Sequence, residues 1–167
     1  MFKENLGKII QKTDLTEAQM AQMITDIFSG NVTDAQIGAL MAALATKGET
    51  FEELAGAARA MRRKALRIQA STATVVDTCG TGGDGAQTFN ISTTTAFVVA
   101  GCGVTVAKHG NRSVSSRCGS ADLLETLGVK LDTHPEIVEE AVREIGIGFL
   151  FAPLYHGAMK YAAKARK

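Results

Sequence analysis

The chain has 167 residues, of which 46% are hydrophobic and 21% charged, so it can form one or two small domains with a buried core. Its net charge of +1 and its few aromatic residues argue against nucleic acid or an anionic membrane as the partner. Charged residues from Lys3 to Asp14 argue against a secretory signal peptide, and no stretch is long and apolar enough to predict a membrane span. The three dispersed cysteines predict reduced thiols in a cytoplasmic protein.

Residues 1–70 predict a small helical domain. A first helix is expected near Lys3–Gln11, and three capping boxes then place a threonine hydroxyl three residues before a Gln or Glu: Thr16–Gln19, Thr33–Gln36 and Thr50–Glu53. Each box leads into apolar residues at helical spacing. The three predicted faces are Met20, Met23, Ile24, Ile27 and Phe28; Ile37, Leu40, Met41 and Leu44; and Phe51, Leu54, Ala55, Ala58 and Met61. Gly30 and Gly48 lie where helix C-terminal glycines are expected.

Residues 71–167 predict an α/β domain, because strand-like and helix-like segments alternate. The predicted strands are Thr74–Thr78, Val104–Ala107, Val129–Leu131 and Ile147–Phe151. The predicted helices are Ser92–Gly101, Ser120–Leu127, a helix opened by a fourth capping box at Thr133–Glu136 and ending at Ile145, and a helix from Ala158 onward. The fold class is therefore α/β, with a small N-terminal helical subdomain followed by a mostly parallel sheet flanked by helices.

Two polar loops follow the first two predicted strands directly, so both are expected at the carboxyl edge of the sheet, where ligands of such folds bind. The first loop contains four glycines between Gly80 and Gly85, and the second carries the cations Lys108 and Arg112. Glycine lets backbone N–H groups approach a ligand, a helix N-terminus favours an anion, and Lys and Arg add full positive charge. This pair of loops predicts a phosphate-binding cleft.

Two common nucleotide motifs fit this sequence poorly. Gly80–Gly85 matches G-x-G-x-x-G, but a dinucleotide site needs a helix that begins at once and an acidic residue about 20 positions later. Here the helix is predicted to begin near Ser92, and the second strand leads into Lys108. A Walker P-loop is disfavoured because no Gly-Lys-Ser/Thr sequence follows.

Four motifs in register resemble the anthranilate phosphoribosyltransferase family. They are Asp77-Thr-Cys-Gly-Thr-Gly-Gly-Asp84, Phe89-Asn-Ile-Ser-Thr93, Lys108-His-Gly-Asn-Arg112 with Ser115-Ser116, and Gly119-Ser-Ala-Asp122. The helical first segment is also similar. The resemblance implies a fold of the nucleoside phosphorylase and phosphoribosyltransferase type. It also implies phosphoribosyl transfer from phosphoribosyl diphosphate (PRPP) to anthranilate with Mg²⁺, in tryptophan biosynthesis.

The resemblance also implies a set of site residues. Ser92 would be a magnesium ligand, and Gly80, Asn111 and Arg166 would contact anthranilate. His109 could serve as a base, but an orienting or structural role is at least as plausible, so no catalytic residue is assigned. The residues expected to bind PRPP are Gly80, Gly83, Asp84, Thr88, Asn90, Ile91, Ser92, Thr93, Lys108, His109, Gly110, Asn111, Arg112, Ser113, Val114, Ser115, Ser116 and Ser120.

The chain also departs from the family pattern. It contains no adjacent Asp-Glu pair, which the resemblance requires for magnesium, and Gly157 and Lys164 stand where the family usually has proline. We therefore expect these 167 residues to be the N-terminal portion of a longer protein and to be inactive in phosphoribosyl transfer by themselves.

Two other functions stay open at this point. One is a pyrimidine nucleoside phosphorylase-like enzyme, over which the Lys108–Arg112 sequence favours the transferase. The other is a non-catalytic phosphosugar-binding module, if the acidic pair is truly absent. The apolar faces of the small helical domain further predict a homodimer formed through that domain.

Overall fold

The computed structural model describes residues 1–70, 74–80, 88–113 and 118–165. The chain divides into two compact units, which are described separately below. The first unit contains Met1–Ala65 together with His156–Lys167, and the second contains Leu66–Tyr155. In this division the segment after Tyr155 belongs to the first unit.

The first unit is a bundle of four helices: α1 (Phe2–Ile10), α2 (Glu17–Phe28), α3 (Asp34–Lys47) and α4 (Phe51–Lys64). The three predicted capping boxes are confirmed at the starts of α2, α3 and α4, with both reciprocal hydrogen bonds present in each. Gly48 ends α3 with a φ of 85°, a backbone conformation that glycine adopts without strain. Local sequence therefore defines the ends of these helices.

The core of the bundle follows the predicted faces of α2 and α3 except at Met41, which is 42% exposed. The buried members of the core are Ile9, Leu15, Met20, Met23, Ile27, Phe28, Ile37 and Leu40. The predicted face of α4 is wrong at its start, because Phe51 and Leu54 are 81% and 57% exposed, whereas Met61 packs against the core. Instead, α4 packs through small residues: a Cβ added to Gly56 would lie 2.3 Å from the backbone oxygen of Glu17. The close approach of α2 and α4 decides which face of α4 is buried.

A 3₁₀ helix at Gly157–Ala162 completes the first unit. Ala158, Met159, Ala162 and Ala165 pack against the buried core of the bundle. The Tyr161 ring lies 3.1 Å from the position that a Cβ on Gly30 would occupy. The predicted helix from Ala158 onward is thus present among the described residues only as this 3₁₀ helix, which ends at Ala162.

A buried carboxylate joins the start of α4 to the loops around it. The Glu53 side chain is fully buried, and its two oxygens accept hydrogen bonds from the backbone N–H groups of Leu15 and Thr50, both at 2.9 Å. Lys47 Nζ donates to Glu53 Oε2 at 2.9 Å and to Asp14 Oδ1 at 2.7 Å. Burial alone would raise the pKa of Glu53, but the backbone donors and Lys47 outweigh it and lower the pKa below its ordinary value.

The second unit contains α5 (Ile91–Gly101), β1 (Val106–Gly110), α6 (Ser120–Thr126), α7 (Pro135–Glu144), β2 (Ile147–Phe151) and the short α8 (Ala152–Tyr155). The two strands pair in parallel, from Val106 opposite Ile147 to Gly110 opposite Phe151. Val76 forms a parallel bridge to the other side of Val106, so β1 is central among the described residues. The parallel α/β architecture is therefore as predicted.

Four predicted elements of this unit need correction. The strand predicted at Val104–Ala107 is β1 at Val106–Gly110, so Lys108 lies on the strand and not in the loop after it. The strand Thr74–Thr78 is reduced to the single bridge at Val76, and Val129–Leu131 has no strand pairing; Leu131 packs instead in a small apolar cluster with Ala121 and Leu124. The fourth capping box is absent, because α7 begins after His134 and the Thr133 hydroxyl donates to Lys130 O at 2.7 Å.

No helix among the described residues combines the length and the apolar character that a membrane span requires.

Candidate functional site

Lys108 is a buried cation on the central strand. Burial alternates along β1, with Val106, Lys108 and Gly110 buried and the residues between them partly exposed. A lysine thus occupies an inward position of an apolar pattern and is 2% exposed. It borders a cavity of about 290 Å³ that Thr93, Ala96 and Phe149 also line. Since lysine is rarely buried without a counter-ion, this position needs a functional or structural explanation.

The Lys108 ammonium points to the first turn of α5. Lys108 Nζ donates to Ser92 Oγ at 3.3 Å, and Ser92 Oγ donates to Asn90 Oδ1 at 3.2 Å. Asn90 is also the N-cap residue of α5, because its Oδ1 accepts from Thr93 N at 3.0 Å. Thr78 Oγ1 donates to the backbone oxygen of Ser92 at 2.8 Å. These bonds hold the strand cation against the positive end of the helix dipole.

Burial lowers the pKa of Lys108 below its ordinary value, and the negative charges of Asp77 and Cys79 oppose this effect only in part. No ion pair to Lys108 is formed within the described part of the chain. A buried charge without a paired carboxylate is costly, and an anionic ligand would reduce that cost. The end of β1 and the start of α5 together therefore favour an anion.

The residues directly after β1 are hydrogen-bonded to the start of α6. A Cβ added to Gly110 would lie 2.9 Å from the Ser120 Cβ, and Ala121 N donates to Asn111 O at 3.1 Å. Asp122 Oδ2 accepts from both Ser113 N and Gly119 N at 2.9 Å. These two backbone donors, followed by the Arg112 ion pair, lower the pKa of Asp122.

Arg112 is engaged by carboxylates of α6. Its guanidinium forms a two-bond pair with Glu125 at 2.7 and 2.9 Å and contacts Asp122 Oδ1 at 3.1 Å. It also lies 5.9 Å from the centre of the Phe151 ring. The hydrogen bonds from Glu125 and Asp122 raise the pKa of Arg112 above its ordinary value. Arg112 thus differs from Lys108, because its charge is already compensated by the protein.

The structure brings together one part of the predicted site. Asn90, Ser92, Thr93 and Lys108 meet at the start of α5, and Gly110, Asn111, Ser113 and Ser120 meet at the start of α6. Gly80, Thr88, Ile91 and Asn111 are exposed, and His109 is half-buried on β1. The other predicted residues lie outside the described residues: Gly83, Asp84, Val114, Ser115, Ser116 and Arg166.

Sequence reasoning missed the supporting roles of two carboxylates. Asp77 Oδ1 accepts from His109 N at 3.2 Å and so ties the first loop to β1. Asp122 organises the loop of Arg112 and Ser113. Both residues belong to the motifs quoted above. The signal for Asp122 was its position three residues after Gly119, from which a side chain can accept a hydrogen bond from the backbone at the start of the helix.

Comparisons with known families agree with this arrangement. Residues 72–167 match the model described as "Glycosyl transferase family, a/b domain", and residues 3–65 match "Glycosyl transferase family, helical bundle domain". The chain belongs to this glycosyl transferase family. The helical bundle and the parallel α/β unit correspond to the two domains that the family descriptions name.

Relatives within the glycosyl transferase family are similar along the whole chain. A protein of Desulfosudis oleivorans named anthranilate phosphoribosyltransferase is 76% identical over 167 residues, which are 100% of this chain and 49% of that protein. The chain therefore spans about half the length of the curated relatives it matches.

Solved structures of the same name share the fold. The enzyme from Thermus thermophilus matches 96% of this chain and 49% of its own, with 45% identity and a TM-score of 0.89. The Saccharomyces cerevisiae enzyme in complex with PRPP and Mg matches 99% of this chain and 50% of its own, with 26% identity and a TM-score of 0.88. The high scores confirm the α/β fold class predicted from sequence.

Proposed function

We propose that the protein transfers the phosphoribosyl group from PRPP to anthranilate, releasing diphosphate, in tryptophan biosynthesis. The single observation that carries this proposal is the buried Lys108 ammonium, which lies 3.3 Å from Ser92 Oγ at the start of α5. A polyphosphate placed there would receive both the lysine charge and the helix dipole. The name of the 76% identical relative and the PRPP complex of the yeast structure support the choice of substrates.

The chemistry suits such a site. By analogy with glycoside cleavage, the transition state resembles an oxocarbenium ion from which diphosphate departs. The leaving group gathers negative charge, so fixed donors aimed at it lower the barrier. The amine of anthranilate is already a free nucleophile at neutral pH, so the proposed mechanism assigns no general base.

The proposed binding set is the one given by the sequence resemblance. PRPP would be held by the residues around the start of α5 and by the segment from Lys108 to Ser116, with Ser120. Anthranilate would contact Gly80, Asn111 and Arg166. Because α6 carboxylates already compensate Arg112, we propose that Arg112 orders its loop and that Lys108 supplies the main charge to the diphosphate.

Magnesium is proposed as the metal, with Ser92 as one ligand. A hydroxyl oxygen has two lone pairs, and in Ser92 one of them accepts from Lys108, so one remains for a cation. Mg²⁺ prefers several oxygen ligands, including carboxylates and substrate phosphates. We propose that the other ligands are diphosphate oxygens and carboxylates outside these 167 residues.

A homodimer through the helical domain is proposed as the assembly. Several large apolar side chains of this unit are exposed, including Ile10, Met41, Phe51 and Leu54. Phe51→Glu and Leu54→Glu should produce monomers in analytical ultracentrifugation, whereas Ile145→Glu, at an exposed apolar site of the other unit, should not. Dimers that persist in both helical variants would contradict this assignment.

A cytoplasmic location is proposed from the cysteines. Cys79 and Cys102 are exposed thiols outside any disulfide, which suits a reducing compartment. Cell fractionation with an antibody against the protein tests this directly.

The function is tested by following the loss of anthranilate fluorescence with PRPP and Mg²⁺, using the 167-residue chain and the complete protein. Turnover by the complete protein that stops with EDTA is expected, with none by the 167 residues alone. Phosphate-dependent cleavage of thymidine would instead favour the phosphorylase. Binding of PRPP without turnover by the complete protein would favour a non-catalytic binding module.

A further inference from the structure

Three side chains with metal-binding atoms converge beside the central strand. Asp77 and Cys79 follow the bridge at Val76, and His109 lies on β1. One ligand atom from each of the three lies within 4.8 Å of the others. Cys79 Sγ and His109 Nδ1 are separated by 3.6 Å. The three atoms are thus close enough together to share a single ion.

The backbone explains why these residues meet. The parallel bridge between Val76 and Val106 aligns the segment of Asp77 and Cys79 with β1, and residues two apart in an extended chain point to the same side. The hydrogen bond from His109 N to Asp77 Oδ1, at 3.2 Å, holds the two segments in this register. His109 Nε2 is buried, whereas Nδ1 faces the thiol, so Nδ1 is the nitrogen presented to an ion.

The donor set selects a class of metal. We propose that Asp77, Cys79 and His109 bind a thiol-preferring divalent ion of the Zn²⁺ type. A thiolate, an imidazole and a carboxylate are the ligands that Zn²⁺ takes in tetrahedral sites, and three protein ligands leave a fourth position for water or another ligand. Mg²⁺ prefers oxygen ligands alone, so this ligand set is not suited to the magnesium proposed at Ser92.

The charges of the site agree with a dication. Asp77 carries one negative charge, and the Cys79 thiol would add a second when it binds a metal as thiolate, so together they exceed the single positive charge of the neighbouring Lys108. Asp77 uses Oδ1 to accept from His109 N, and a carboxylate has about four lone-pair positions, so acceptor capacity remains for a metal. On binding, the thiol gives up its proton to solvent, so affinity should rise with pH.

Cobalt is the probe for the first test, since Co²⁺ occupies zinc sites and its bond to a thiolate produces a charge-transfer absorption. Titration of the purified protein with Co²⁺ should give this absorption at one equivalent, and added Zn²⁺ should remove it. Cys79→Ser should abolish the band, and Asp77→Asn and His109→Ala should weaken binding by at least about tenfold. Cys102→Ser is the matched control, because Cys102 is also free and exposed, and it should leave the titration unchanged.

A second test uses the unaltered protein and so does not depend on the folding of variants. Zn²⁺ should slow the alkylation of Cys79 by iodoacetamide, while Cys102 should react at its original rate; peptide mass mapping reports both in one sample. Equal protection of both cysteines or of neither, a cobalt band that survives Cys79→Ser, or no band at all would overturn the proposal.

Discussion

Replacement of Lys108 by methionine tests whether this buried cation serves ligand binding or the stability of the fold. Methionine keeps an unbranched apolar chain in the cavity and removes only the ammonium group. Ser92 Oγ then loses one donor but keeps its own bond to Asn90. If Lys108 is buried to receive an anion, the variant should fold normally and bind PRPP poorly.

The size of the binding loss follows from the contact. A hydrogen bond to a charged group contributes about 1.5–3 kcal/mol, which corresponds to a loss of affinity of about 10- to 150-fold. The free energy of unfolding, by contrast, should not fall. Burial lowers the pKa of Lys108, so the fold disfavours its charged form, and removal of the charge should leave the free energy of unfolding unchanged or raise it.

Isothermal titration with PRPP and Mg²⁺ and urea unfolding measure the two quantities on the complete protein. Lys130→Met is the control, because Lys130 lines the same cavity but is exposed. It should alter neither quantity appreciably. A Lys108→Met protein that unfolds more easily and binds PRPP as tightly as the original would show that the lysine is structural and would refute the reasoning.

The remaining predictions concern stability. Glu53→Ala should lower the free energy of unfolding of the helical bundle by about 3–5 kcal/mol in a urea titration, because it breaks a buried ion pair. The control is Glu52→Ala, at an exposed residue of the same helix, which should cost less than about 1 kcal/mol. Since the folded pKa of Glu53 is below the ordinary 4.5, its contribution is complete above pH 4.5 and is lost as the pH falls through the lowered value; Glu53→Gln should flatten that acid limb. Gly119→Ala should reduce the thermal midpoint, because the added Cβ would lie 2.4 Å from Ser113 N, whereas Gly7→Ala, with nothing within 4 Å, should raise it. An equal effect of the two alanines on thermal melts would contradict the contact argument.

The sequence was most informative where structure is local. The capping boxes at Thr16, Thr33 and Thr50 depend on residues three positions apart, and all three are confirmed. Lys108 and Ser92 could be placed near each other because a parallel βα arrangement brings strand ends and helix starts to one edge.

The sequence was least informative where the structure depends on contacts between segments that are far apart in the chain. The buried face of α4 depends on the close approach of α2 at Gly56, which helical periodicity does not contain. The pairing of Arg112 with Glu125 depends on where α6 lies. The short predicted strand at Thr74–Thr78 had β-branched residues, but only one residue of it bridges β1, since pairing is a property of two segments.

The first unit is built from two segments that are far apart in the chain, and this has a consequence for synthesis of the protein. Its core is closed by Ala158, Met159 and Ala162, although the bundle helices end at Lys64. At about 5–20 residues per second, the ribosome needs roughly 5–20 s to make the intervening segment. During that interval the four helices could form, because their capping boxes are local. The apolar surface against which Met159 later packs would stay exposed to solvent. This window would leave the nascent chain open to chaperone binding until the Gly157–Ala162 helix has been made.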